Sequence, residues 1–265
     1  MPEIFEYQRG ESPVLISFPH DGTDFPDPVK RQLNETGLKN TDCDWYVYEL
    51  YNRVLARDIS FIRAGFSRYV VDLNRPPAGE LLYPGKMETG VCPLTTFDGI
   101  PIYLPGKQPD DKEIQGRIKA YWQPYHDHLR AELERIINRH GYAILWDAHS
   151  IRAEVPSLFD GVLPDLNFGT ADGRSCAREI INRVVDHAAR ASTYSAVLNG
   201  RFKGGYITRH YGDPAKSIHS IQLEINQNTY LEDTEAPEIN HIKAQRLSLL
   251  VHLSLIHISE PTRPY

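Results

Sequence analysis

Between Tyr142 and Arg152 the chain reads YAILWDAHSIR: an apolar run that turns polar at Asp147 and then presents His149, Ser150 and Arg152. A short, uninterrupted apolar run with aromatic content is the pattern of a buried strand in a mostly parallel sheet. In such sheets the chemistry gathers just past the carboxyl ends of the strands. Val14 to Phe18 (VLISF) repeats the grammar, running into Pro19-His20-Asp21-Gly22, where Gly22 lets the backbone bend. SFIRAG, RYVVDLNR (ending in Asp72, Asn74 and Arg75), TYSAVLNG and SIHSIQLEIN, which carries Glu224, read as further strands.

Helices are predicted between these runs. Over 41–58, Tyr46, Leu50, Val54 and Leu55 keep helical spacing, with Asp42 or Asp44 as the cap. Over 110–140 the same spacing runs from Ile114 to Ile136; Pro124 should kink or split that helix and Gly141 should end it. Another helix is expected from about Gly173 through Ala191, and a last one from near Ala236. GRFKGGYITRHYG reads as a glycine-bearing turn region. Residues 76–109 are rich in Pro and Gly and keep no period, which marks a lid or pocket wall within one domain.

Bulk properties narrow the function classes. The 265 residues, 41% hydrophobic and 24% charged, suit a soluble α/β enzyme. A net charge of -6 gives no footprint for nucleic acid or acidic lipid, and no run approaches the roughly 20 apolar residues that span a bilayer. MPEIFEYQRGE is no signal peptide, and Cys43, Cys92 and Cys176 are too few and too scattered for a disulfide framework or a cysteine zinc site. These features point to the cytoplasm. Residues 253–265, LSLIHISEPTRPY, read as a translated sequencing adapter, so the expectation is a single catalytic domain over 1–252 followed by a non-native tail that replaces part of the last helix.

His20 and His149 end separate strands, Glu224 lies in a third, and Asp44 begins a helix. A catalytic zinc takes three N or O ligands and leaves one position for water. Two His and one carboxylate make such a set, and a further carboxylate could serve as general base. The spacing is no compact HExxH, and strand-end histidines are often structural. Arg75, Arg152 and Arg209 offer planar forks for carboxylates, or pair locally, as Asp72 would with Arg68 or Arg75. Ser150 points away from His149 and lacks a GxSxG elbow. Cys43 sits among acids that raise a thiol pKa, and His126 and His128 cannot share a helix face.

Taken together, PHDG, DCDWYVYELY, SRYVVDLNRPP, LYPG, FDGIPIY, WDAHSIR with LFDG and LPDLNFGT, GGYITRHYG and IQLEIN resemble, in that order, the N-formylglutamate deformylase (N-formylglutamate amidohydrolase) family over about residues 12–250. The resemblance implies a three-layer α/β fold, similar to zinc carboxypeptidase-like hydrolases, with a mixed, mostly parallel sheet and helices on both faces. It implies release of formate from N-formyl-L-glutamate in histidine degradation, with zinc or another divalent metal as cofactor. Carried over, His20, His149 and Asp44 match metal ligands, with Asp24 the runner-up for the third, and Glu224 takes the place of the general base. Asn74 and Arg75 match a pair that grips a substrate carboxylate, with Arg152 and Arg209 as partners for the second carboxylate of this small dicarboxylate. The alternatives are a zinc hydrolase of another N-acyl amino acid or peptide amide, and a metal-free dicarboxylate-binding protein.

Overall fold

The computed structural model describes residues 3–82, 85, 88–190, 193–234 and 236–259. Tyr83 and Pro84 of the LYPG motif, the expected helix end at Ala191 and residues 260–265 of the tail lie outside the described residues.

Seven strands form one sheet: β1 (Phe5–Gln8), β2 (Val14–Phe18), β3 (Ser60–Ala64), β4 (Ala143–Ile151), β5 (Leu166–Gly169), β6 (Ala196–Leu198) and β7 (Ile218–Asn226). Their order is β1-β3-β2-β4-β7-β5-β6. Pairing is parallel from β3 through β2 and β4 to β7, and again between β5 and β6, while β1–β3 and β5–β7 are antiparallel. The sheet is thus mixed and mostly parallel, as expected. β4 and β7 pair over nine residues, which sets His149 directly beside Glu224 and Asp147 beside Gln222.

Side-chain alternation divides each central strand between two layers. Ile16 and Phe18 of β2, Ile144, Trp146 and Ala148 of β4, and Ile221, Leu223 and Ile225 of β7 all face one way. They pack against α3 (Val47–Leu50) and α4 (Asn52–Leu55), which follow two short helices, α1 (Asp27–Lys30) and α2 (Glu35–Lys39), and against α7 (Arg178–Arg190) and α9 (His241–Ser259). The opposite face, with Leu15 and Leu145, is covered by Tyr125, Leu129, Leu133 and Ile136 of α6 (Gln123–His140). On this second face the apolar residues give way, toward the strand ends, to Ser17, Asp147, His149, Gln222 and Glu224, all buried. The site is built there.

Several local expectations change. Residues 68–75 form turns, with no strand. Ser67 Oγ accepts from the Tyr69 N–H and Asp72 Oδ1 from the Asn74 N–H, local bonds that compete with a sheet ladder. Over 41–58 helix starts only after Tyr46, whose φ of 59° lies in the left-handed region, and it is interrupted at Tyr51 between α3 and α4. Neither Asp42 nor Asp44 caps it; Asp21 of PHDG accepts the Tyr48 N–H instead. The long helix is split as expected, by a π-turn at Ile118–Trp122 between α5 (Asp111–Arg117) and α6. The Gln123 N–H bonds Ile118 O, one residue further back than in an α-helix, just before the proline that has no N–H to give. Gly141 ends α6 with φ 77°. The turn region GRFKGGYITRHYG contains a helix, α8 (Tyr206–Tyr211). Helix α9 runs through Ser259, so residues 253–259 of the tail are helical, and Leu255 and Ile258 are buried in the core. Their apolar spacing lets them continue the helix face that Leu247, Leu250 and Val251 begin.

Candidate metal and substrate site

The carboxyl ends of β2, β4 and β7 bring the histidines and their carboxylates together. His20 follows β2, and its carbonyl accepts the Asp44 N–H at 3.1 Å, which draws the 41–46 turn over the strand end. Asp44 Oδ2 lies 2.8 Å from His149 Nδ1 and 3.8 Å from His20 Nδ1. One ligand atom from each of His20, Asp44 and His149 falls within 4.8 Å of the others, and all three residues are buried. Tetrahedral N and O ligands about 2.1 Å from a zinc sit roughly 3.4 Å from one another, so modest adjustment makes this a three-ligand set.

Each ring's other nitrogen is tied down. His20 Nε2 lies 2.8 Å from Asp72 Oδ1, and His149 Nε2 lies 3.2 Å from Asp147 Oδ2. A carboxylate on the far nitrogen turns the near one toward the metal position and makes it a better donor. Arg68 Nη2 donates to the other Asp72 oxygen at 2.6 Å, the local pair the sequence allowed.

Charge explains why a cation suits this place. Burial opposes the charge on Asp72, yet Arg68 and His20 hold its carboxyl well below the usual carboxylate range. His20 is pushed down by burial and by Arg68. Burial also works against a charged His149, but Asp147 and Asp44 overcome it and hold that imidazole well above its ordinary value. A proton on His149 thereby supplies positive charge among buried carboxylates, which is what a divalent ion would supply. Glu224 is pushed up to about 8, chiefly by burial. Gln222 Nε2 donates to its Oε2 at 3.2 Å.

A cleft opens from this cluster. His20, Asp44, His149 and Glu224 line it together with Asn74, Arg75, Arg68 and Arg201, and Phe97 and Phe202 add aromatic wall. Glu88 and Phe97 come from the 76–109 segment, which therefore forms part of the pocket wall.

The sequence-derived residues divide accordingly. His20, Asp44, His149, Glu224, Asn74 and Arg75 converge on the cleft. Asp24 is exposed and outside the His20–Asp44–His149 cluster. Arg152 and Arg209 do not line the cleft: Arg152 pairs with Asp98 at 2.7 Å, and Arg209 Nε donates to Gly204 O. Sequence reasoning missed Asp147, although its place two residues before His149 puts both on one face of a strand. It also missed Arg201, which sits in a glycine turn without any periodic signal. Ser150 faces the other layer, 2.7 Å from Tyr230 OH, and burial raises the Cys43 thiol well above its usual value, so neither is an activated nucleophile.

The N-formylglutamate amidohydrolase family model matches residues 12–231. A protein of Pseudomonas putida named N-formylglutamate deformylase is 48% identical over 237 residues, 89% of this chain and 88% of that one. A protein of the same name from Pseudomonas aeruginosa is 47% identical over the same shares. Among solved structures, the N-formylglutamate amidohydrolase of Ralstonia eutropha JMP134 superposes with a TM-score of 0.79 at 25% identity, covering 97% of this chain and 98% of that one. A gene product of Agrobacterium tumefaciens, 17% identical with a TM-score of 0.71, shares the fold over 97% of both chains.

Proposed function

The chain belongs to the N-formylglutamate amidohydrolase family, and from that premise we propose that it hydrolyses the formamide C–N bond of N-formyl-L-glutamate to formate and L-glutamate. The observation that carries the reading is the buried His20–Asp44–His149 cluster with Glu224 beside it in the β4–β7 register, at the floor of a cleft lined by guanidinium groups.

His20, Asp44 and His149 would hold a divalent metal, with zinc the ion their N and O donors fit. Bound there, the ion would polarise the formyl oxygen and acidify a water molecule. Glu224 takes a proton from the attacking water as its oxygen bonds to the formyl carbon. The same carboxyl then gives that proton to the leaving nitrogen as the C–N bond breaks. The burial that raises the Glu224 carboxyl to about 8 favours its acid form, and a cation held by the three ligands would favour the carboxylate that the first step needs. Arg75, on the cleft wall, offers a fork to one substrate carboxylate, and Arg201 offers a second.

We place the reaction in histidine degradation, in the cytoplasm. The three cysteines are free and buried, consistent with a reducing compartment, and no helix of the described residues is long and apolar enough to cross a membrane. The test is formate release from N-formyl-L-glutamate before chelation, after it, and after zinc is restored. Activity lost and regained supports the reading. Turnover that survives complete metal removal would overturn the metal role. A folded chain that releases no formate would turn the search to other N-acyl amino acids or to a binding role.

A further inference from the structure

Residues 94–102 fold back on themselves: the Ile102 N–H donates to Leu94 O, the Thr96 N–H to Ile100 O, and Gly99, with φ 78°, turns the tip. The tip is anchored to other parts of the chain. The Phe97 N–H donates to Asp42 Oδ2 at 2.8 Å, and Ser157 Oγ donates to the Phe97 carbonyl. Arg152 Nη2 donates to Asp98 Oδ2 at 2.7 Å, so an arginine expected at a substrate carboxylate holds this tip instead. The side chain that these bonds fix in place, Phe97, is 6% exposed and borders the cleft.

Its neighbours locate the ring within the cleft. The guanidinium carbon of Arg68 lies 4.7 Å from the ring centroid, and the same guanidinium bonds Asp72, whose other oxygen meets His20. Asp42, which holds the Phe97 backbone, stands two residues before Asp44. Ile151, which packs with Phe97 in one apolar cluster, stands two residues after His149 on the same face of β4. Phe97 is thus tied to the surroundings of all three ligands. Two further apolar residues of this wall, Leu158 and Phe202, belong to the Arg201 end of the cleft. Arg201 Nε donates to Leu158 O, and its guanidinium carbon lies 5.4 Å from the Phe202 ring centroid. The apolar wall therefore has two parts. One lies by a carboxylate fork and suits the two methylenes of a glutamate side chain; the other lies by the ligands, beside the carbonyl carbon under attack.

We infer that Phe97 determines acyl-group specificity: its ring is the wall that the formyl hydrogen faces, and it leaves no room for the methyl group of an acetyl. The inference rests on the hydrolytic reading above. A formyl carbon carries only hydrogen where larger acyl groups carry carbon. A ring whose backbone is bonded on both sides cannot draw back, so an added methyl meets the cost of overpacking. The alternative is to shift the carbonyl carbon away from the attacking water, and a misplacement near 1 Å costs roughly 100-fold in rate.

The experiment measures kcat/KM, by release of the free amino acid, for the whole chain with zinc supplied and for Phe97→Ala and Phe97→Leu. The substrates are N-formyl-L-glutamate, N-acetyl-L-glutamate and N-formyl-L-aspartate. The wild type should prefer formyl to acetyl. That preference should fall by roughly 10–200-fold in Phe97→Ala, the range that one carbon is worth in a pocket, with the N-acetyl-L-glutamate rate itself rising. Phe97→Leu keeps an apolar side chain, should show a smaller fall, and remains a test if the alanine variant does not fold. The preference for glutamate over aspartate should stay as in the wild type. Binding gives a second readout: in a Glu224→Gln background, calorimetric Kd values for the formyl and acetyl ligands should draw together when Phe97→Ala is added. Equal losses on all three substrates would show a merely structural residue and overturn the inference. A change confined to the glutamate-to-aspartate ratio would put Phe97 on the methylenes and overturn it too, as would a wild type that takes formyl and acetyl alike. A folded wild type that hydrolyses none of the three would remove the hydrolytic reading, and this inference with it.

Discussion

On the hydrolytic reading proposed above, the chemistry turns on one residue, Glu224. Its burial places the carboxyl at about 8, and the β7 register holds it beside His149 without making it part of the three-ligand cluster. Replacing it with Gln keeps the shape and removes the proton carrier. Glu224→Gln should therefore bind zinc with wild-type affinity and lose roughly 10²–10⁴-fold in kcat, the usual contribution of general acid–base catalysis. Steady-state rates paired with metal titration check this; near-normal turnover would take Glu224 out of the role. This residue and the two histidines were legible because each follows or ends an apolar strand, where polarity has no use in the core. Arg152 and Arg209 have similar local settings but turn to Asp98 and to Gly204. No strand pattern distinguishes an Arg that faces the cleft from one a turn away, because the loops that decide it carry no period.

At the scale of elements, α6 does more than cover the sheet. His126 is buried, its Nε2 bonds Leu73 O at 2.8 Å and its Nδ1 lies 3.0 Å from Tyr211 OH, while Trp122 of the π-turn donates to Arg75 O. The helix thus pins both ends of the 73–75 turn that carries Asn74 and Arg75. Burial lowers the His126 pKa to about 3, from an ordinary 6.5 in the unfolded chain. The folded state keeps it neutral, while the unfolded chain takes up a proton below pH 6.5. Its stabilising contribution is therefore complete above pH 6.5 and declines by about 1.4 kcal/mol per unit as pH falls toward 3. Urea unfolding at pH 7 and pH 5 should show a smaller loss in His126→Gln than in the wild type; equal losses would mean that His126 is not the group concerned. Helix α9 offers a second test. Leu255 is fully buried, so Leu255→Ala should cost about 2–5 kcal/mol in the same assay, whereas a helix end that merely rests on the surface would lose well under 1 kcal/mol. The sequence located α6 by its spacing, and it expected a last helix from near Ala236, whereas α9 begins at His241. It could not locate the late start after Tyr46, the interruption at Tyr51 or the turns over 68–75, where side chains bond their own backbone and tertiary partners override the apolar period.

For the whole molecule, the sheet gathers charge that folding alone does not balance. Asp44, Asp72 and Asp147 are all buried near one end of the central strands, and Arg68 answers Asp72 directly. The remaining negative charge is met in part by drawing a proton onto His149. A divalent ion bound only by the native arrangement relieves the same imbalance and stabilises the fold by mass action. The gain is about 2.7 kcal/mol when free metal stands near 100-fold above its dissociation constant. For a chain of this size that corresponds to a melting temperature roughly 5–10 °C higher with zinc than after chelation. The increment should shrink in Asp44→Asn and His149→Ala, which lose a ligand, and persist in Glu224→Gln, which loses none. Calorimetry of the four proteins with and without zinc makes the comparison. An increment of equal size in all four would assign the stabilisation to metal bound somewhere other than the cleft. No increment in the wild type would mean that these carboxylates are balanced by protons, leaving the hydrolytic reading without its cation.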